Sequence, residues 1–505
     1  MKAKQGVADT KGAAAEGKGI ASRSWAKGEY LFDCRICGEL WINGKFFSSV
    51  PVQMRAGFLL KGFKMANETN TNFICDNINV NEQGHLTFAG LDTVDLAKEF
   101  KTPAYIMDEA RIRHNCRVYT DAFKEHFGGE SRPLYASKAN SFKYIYKIMK
   151  EEGMGIDVVS SGEILCAYKA GYDLSMAYFH SNNKTDDDIS FAMELGIGYF
   201  VVDGFEELYA IEEEAARRGI IQKILLRITP GIDPHTYVQV NTGTVDSKFG
   251  TAIETGQADE IIEAALKLPH IDLIGYHCHV GSQVFAEDVF ERAAVVMVRY
   301  IAHIYRELGY MVKQLNMGGG FGVRYVDTDP YLNVSEKIAD LAEAIHATCA
   351  KEKIPVPTIV MEPGRSIVAD AGMTLYTVGS VKRIPYYKNY VSVDGGMTDN
   401  PRFALYGSKY TCYTANRMNE DRNMNANVVG RCCESGDIIQ KDVALPMSTE
   451  RGDIVAVCTT GAYNYSMASH YNKIPNPPIV MITDGKAREV VRCQTYEDLI
   501  SLDIE

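Results

Sequence analysis

The first group in this sequence able to do covalent chemistry is a lysine that closes a short apolar run: Lys138, in Tyr135-Ala-Ser-Lys138-Ala-Asn140. Among small, apolar neighbours its ammonium loses hydration, which predicts a lowered pKa and an amine free to form a Schiff base. Standing alone, the same residue reads as a lysine whose stem lies along the surface. Three further motifs also close apolar runs. His277-Cys-His279-Val-Gly-Ser282-Gln places two imidazoles at i and i+2, on one face of a strand. They suit a metal pair, a ring stacked on a cofactor, or a structural role. Met317-Gly318-Gly319-Gly320-Phe-Gly offers amides without Cβ atoms, open to a phosphate or to a flexible turn. Met361-Glu362-Pro-Gly364-Arg365 adds an acid and a guanidinium. Cys34 and Cys37 form a lone CxxC with no second pair of ligands nearby, so it is read as chance spacing and no metal site is expected.

Such groups act only if elements bring them together. Between residues 103 and 383, eight strand-like runs alternate with amphipathic stretches: 133–139, 155–160, 176–181, 199–203, 223–229, 271–280, 314–317 and 358–362. Helical patterns fall between them, at 186–195, 206–218, 258–268 and 334–351. An open doubly wound sheet gives the same alternation, but eight units in this length predict a (β/α)8 TIM barrel. The motifs then fall at the C-terminal ends of strands one, six, seven and eight, where barrel enzymes carry their sites, and the last two fall where phosphate is commonly held. Residues 384–505 change to strand-like segments with turns and predict a C-terminal β domain of β-sandwich or Greek-key type, with residues 65–102 adding strands to it. Residues 1–64 read as a disordered extension or a misplaced start, with Met65 opening the folded unit.

Composition narrows the partners. The chain has 505 residues, 46% of them hydrophobic, which is globular composition, and a net charge of −12 that disfavours nucleic acid and anionic membranes. No apolar stretch is long enough to span a bilayer. Twelve scattered cysteines without a signal peptide predict reduced thiols and a cytoplasmic protein. Taken together, a strand-end lysine, a flat histidine, a phosphate cradle and a buried acid are the parts that pyridoxal 5'-phosphate requires.

These motifs resemble those of the diaminopimelate decarboxylases, in the alanine-racemase-like (fold-type III) group of pyridoxal-phosphate enzymes. The resemblance runs from about residue 72 to the C-terminus. It continues through Ser247-Lys-Phe-Gly, Gly395-Gly-Met-Thr-Asp-Asn-Pro-Arg402, Leu405-Tyr406-Gly, Cys433-Glu434-Ser-Gly-Asp and Gly461-Ala-Tyr463. It implies that Lys138 holds the cofactor, His279 stacks on its ring and Glu362 faces the pyridine nitrogen. Ser282, Gly318, Gly319, Gly320, Gly364, Arg365 and Tyr463 would complete the cofactor site. Arg365, Arg402, Tyr406, Glu434 and Tyr463 would bind an amino-acid substrate, and Cys433 would donate the proton that replaces the lost carboxylate. Cys433 and Glu434 would reach the site from a partner subunit, making the protein a homodimer with shared sites.

Relatives acting on ornithine carry an aspartate after the Leu-Tyr pair, whereas here Gly407 follows Tyr406. The implied reaction is therefore decarboxylation of meso-2,6-diaminopimelate to L-lysine, the last step of lysine biosynthesis. Decarboxylation of D-lysine or D-ornithine is the alternative within the fold. A cofactor-free regulator is the alternative outside catalysis, set against the presence of both Lys138 and Cys433.

Overall fold

Eight runs that read as continuous apolar sequence are buried on both faces, as the strands of an all-parallel sheet must be. They are β1 (Arg132–Ala136), β2 (Gly155–Val158), β3 (Ala177–Phe179), β4 (Tyr199–Val202), β5 (Gln222–Thr229), β6 (Ile271–His277), β7 (Gln314–Asn316) and β8 (Thr358–Met361). In this computed structural model β1 pairs with β8 and β4 with β5, so the sheet closes into a barrel and the open-sheet alternative falls away. The structure describes residues 73–232, 247–286 and 288–504. It also describes the backbone of three short strands, Phe32–Cys34, Glu39–Ile42 and Lys45–Phe47, paired antiparallel. Cys37, Met65 and the rest of the expected extension lie outside the described residues.

Alternation along the strands separates two cores. Leu134, Tyr178, Val201, Leu225, Ile274 and Val360 fill the barrel interior. Their neighbours Tyr135, Phe200, Leu226 and Ile359 face outward, under the helices. All four expected helices form, as Asp186–Glu194, Phe205–Arg218, Gln257–Ala265 and Val334–Glu352. Local chemistry sets their ends. Thr185 and Asp188 make a reciprocal capping box at the start of the first, and Gly219 closes the second with a left-handed φ of 66°.

The second sheet is built around one long strand, Gly372–Ile384. Its first half pairs with Ala104–Asp108 and with Ile454–Cys458, and its second half pairs with Lys388–Val393. Ala104–Asp108 also pairs in parallel with Ile479–Thr483, so a strand made before the barrel sits in the middle of a sheet otherwise made after it. Of residues 65–102, expected to add strands to the β domain, the structure describes those from 73 onward. Ile78–Val80, Leu86–Phe88 and Leu91–Asp92 form a small sheet of their own. They attach through side chains, with Ile78, Leu86 and Phe88 packing on Met373, Leu375 and Ala456.

Candidate active site

Lys138 sits in a single turn, Ser137–Ala139, directly after β1. The second domain grips that turn: Tyr463 donates its backbone N–H to the Ala139 carbonyl (2.7 Å), Ser466 Oγ donates to the Lys138 carbonyl (3.0 Å), and Asn140 Nδ2 donates to the Gly461 carbonyl (2.9 Å). The expected lowering of the Lys138 pKa is not what the structure shows. Burial pulls it down, but Asp157, Tyr463 and Glu362 outweigh that and hold the ammonium above its usual value. The acids that overturn the expectation come from β2 and the end of β8, far away in sequence.

Glu362 is buried at the end of β8. Asn316 Nδ2 donates to its Oε1 (2.6 Å), His277 Nε2 lies 3.3 Å from Oε2, and His180 Nε2 approaches Oε1 to 2.8 Å, off the line of a good hydrogen bond. Burial alone would raise this carboxyl, but the imidazoles and their hydrogen bonds hold it well below the usual range. His277 is pushed down to about 4 by burial and is neutral at pH 7. Asp157, also buried, is pushed up by desolvation, with His180 opposing, and neither of its carboxylate oxygens has a partner.

The two histidines of the i, i+2 motif part company. His277 is the last residue of β6 and points at Glu362. His279 lies beyond the strand, half-buried, and its Nδ1 accepts the Gly319 N–H (3.3 Å). A metal pair on that motif is therefore not what forms. His180, at the end of β3, takes the second place beside Glu362, its ring edge-on to His277 at 4.8 Å. His180 and Asp157 carried no motif, yet both stand at or near the C-terminal ends of barrel strands, the rule that found the others.

The glycine run lies against its neighbours. A Cβ at Gly319 would strike the Glu362 carbonyl, and one at Gly320 the Gly281 carbonyl. Close strand-end packing therefore requires these glycines before any ligand does. Arg365, buried just past Gly364, donates to Tyr325 Oη (2.8 Å) and Ser282 Oγ (3.0 Å). Arg402 is equally buried, and both guanidiniums lie over the ring of Tyr463, at 4.6 and 5.3 Å, with Tyr406 5.4 Å from Arg402. Neither arginine has a carboxylate within ion-pair distance among the described residues, and each leaves its Nε without an acceptor. Two buried cations without an anion, beside a lysine and an ionised acid, fit a phosphorylated ring cofactor together with an anionic substrate.

Cys433 and Glu434 are the expected residues that the fold does not bring to this place. Both are exposed. Cys433 donates its N–H to Asn472 Oδ1 (2.8 Å), while Glu434 accepts from Ser435 Oγ and the Gly436 N–H.

Residues 109–369 match the family "Pyridoxal-dependent decarboxylase, pyridoxal binding domain". The diaminopimelate decarboxylase of Bacillus subtilis is 42% identical over 84% of this chain and 96% of its own length. That of Staphylococcus aureus is 42% identical over 84% of this chain and 99% of its own.

The chain belongs to the diaminopimelate decarboxylase family. Among solved structures, diaminopimelate decarboxylase from M. jannaschii in complex with L-lysine superposes with a TM-score of 0.79 at 33% identity, over 85% of this chain and 98% of that one. The Helicobacter pylori diaminopimelate decarboxylase with L-lysine gives 0.74 at 33% identity, over 82% and 99%. A lysine/ornithine decarboxylase from Vibrio vulnificus with putrescine gives 0.67 at 22% identity, over 80% and 99%, a likeness of fold alone. The family's barrel and its cofactor, pyridoxal 5'-phosphate, are thereby those of this chain.

Proposed function

We propose that the protein decarboxylates meso-2,6-diaminopimelate to L-lysine and carbon dioxide. The observation that carries this reading is the pair of buried, acid-free guanidiniums sharing Tyr463 beside Lys138 and Glu362. Arg365 turns its fork to Ser282 and Tyr325, next to the glycine run, and serves the phosphate with Ser282, Gly318, Gly319, Gly320 and Gly364. Arg402, with Tyr406 and Tyr463, receives the distal carboxylate of the substrate. An ornithine-type side chain would leave that buried cation unpaired, which costs binding.

Bound pyridoxal phosphate supplies the electron sink for loss of the carboxylate. The chain supplies the rest. Lys138 Nζ attaches the cofactor and, when released, is held as an ammonium by Asp157. Glu362, kept anionic by its imidazole and amide neighbours, would face the pyridine nitrogen and keep it protonated. His279 would stack on the cofactor ring. Cys433 Sγ donates a proton to the substrate α-carbon as a general acid, and Glu434 meets the distal ammonium. Both are exposed on their own chain, which supports a homodimer in which each subunit completes the other's site. Ten free cysteines among the described residues support a reducing, cytoplasmic setting. Among the described residues no helix is long and apolar enough to cross a membrane.

The test is an absorbance spectrum of the purified protein with pyridoxal phosphate, followed by carbon dioxide release from meso-diaminopimelate, D-lysine and D-ornithine. A visible band that Lys138→Ala abolishes, with release from meso-diaminopimelate, is the expected result. Release confined to D-lysine or D-ornithine would overturn the substrate, and absence of a band would overturn the enzyme.

A further inference from the structure

The segment that carries Cys433 and Glu434 is tied down by one buried carboxylate that no part of the mechanism above uses. Asp437 is almost fully hidden. Its Oδ2 accepts the N–H of Cys432 (2.7 Å) and its Oδ1 accepts the N–H of Met397 (2.6 Å). The first bond closes the 431–437 turn on itself, and the second crosses to the 395–400 turn, which leads directly into Arg402. A third bond, from the Arg431 N–H to the Gly395 carbonyl (3.0 Å), runs beside them. Space is reserved for this arrangement. A Cβ at Gly396 would come within 2.5 Å of the Asp437 carboxylate, and one at Gly430 would strike it as well. Side-chain burial, two charge-assisted bonds to backbone donors and two glycines cut to fit make Asp437 a built feature.

From this geometry we infer that Asp437 is a positioning residue for proton delivery: it holds the backbone at Cys432 so that the Cys433 thiol meets the substrate α-carbon. The inference rests on the reading of Cys433 as the proton donor. The same carboxylate reaches Met397, so the donor turn of one site and the Arg402 arm of the chain's own site move as a single body. In a dimer with shared sites, Asp437 therefore links two active sites through one side chain.

Proton placement can be read apart from rate. After carbon dioxide leaves, the electron pair takes a proton either at the substrate α-carbon, giving the amine product, or at the cofactor carbon that bears the nitrogen. The second course ends, after hydrolysis, in an aldehyde from the substrate and the cofactor in its amine form, with atoms balanced and no outside oxidant. The fraction of turnovers ending in amine-form cofactor therefore measures how well the thiol is placed, and a loss of stability alone does not change it.

The experiment compares full-length holoenzymes: wild type, Cys433→Ala, Asp437→Ala, and Asp437→Asn, which keeps the shape and one acceptor. With meso-diaminopimelate as substrate, carbon dioxide and amine-form cofactor are counted together. Cys433→Ala is expected to raise the misdirected fraction strongly, Asp437→Ala to raise it at least tenfold, and Asp437→Asn to fall between wild type and Asp437→Ala. If Cys433→Ala raises the fraction while both Asp437 variants match wild type, Asp437 does not position the donor and the inference fails alone. If Cys433→Ala leaves fraction and rate unchanged, the donor reading fails and takes the inference with it. Should Asp437→Ala yield no soluble holoenzyme, Asp437→Asn decides by the same measure.

Discussion

The barrel mouth and the Cys433 turn are both site-bearing regions, built on opposite plans. At the mouth, the turn of Lys138 is held by the second domain, and Glu362, Arg365 and Arg402 are buried and fixed by contacts from several strands. The Cys433 turn is held just as firmly at its backbone, by Asp437 and Asn472, yet presents its side chains outward. A backbone fixed this firmly with its thiol left exposed is what the proposed two-subunit site requires. The mouth holds two cations and a lysine but not Cys433.

The comparison breaks most decisively if the two regions can be separated and recombined. Cys433→Ala is expected to lower the decarboxylation rate by about 10²–10⁴, the usual worth of a positioned general acid, with cofactor binding intact. Mixing it with an inactive Lys138→Ala protein is expected to restore about a quarter of wild-type activity, because half of random dimers are mixed and each has one complete site. No recovery after mixing would place both groups in one chain's site and end the contrast. A smaller effect concerns the mouth: His180→Leu is expected to weaken cofactor retention severalfold, because it removes an imidazole that helps keep Glu362 ionised, measured by equilibrium dialysis. Unchanged retention would make His180 a packing residue.

The smallest effect tests the electrostatics behind the mouth. Glu163, close to Asp157 and Lys138, accepts the Val159 N–H and is pushed up to about 7 by burial. An acid whose folded pKa is raised stabilises the protein below its unfolded pKa, near 4.5, and that contribution is lost as pH rises through 7. Glu163→Gln should therefore gain stability relative to wild type between about pH 4.5 and 7, by at most about 1.4 kcal/mol per pH unit. Denaturant melts at several pH values check this, and a constant difference would refute it.

The barrel was legible because both faces of every strand are buried, so strands such as Tyr199–Val202 read as unbroken apolar runs. Motifs at strand ends were legible by position. What stayed hidden depends on pairing across the sequence. Asp157 lies inside an apolar run, and its importance comes from Lys138 and His180 on other strands. The Lys138 pKa was misjudged for the same reason: local composition reports desolvation and is silent about acids delivered by β2 and β8. Which strands pair was not legible either: Ile78–Val80, Leu86–Phe88 and Leu91–Asp92 pair only among themselves, while Gly372–Ile384 and Ile479–Thr483 both pair with Ala104–Asp108.

That last strand has a consequence for how the protein is made. Ala104–Asp108 leaves the ribosome before any of the barrel, while one of its two sheet partners, Ile479–Thr483, is synthesised only after the barrel and most of the second domain. Throughout that interval an apolar strand carries an open edge, the kind of surface on which nascent chains pair with one another. The wait for its partner is then a step at which newly made chains are open to misassembly.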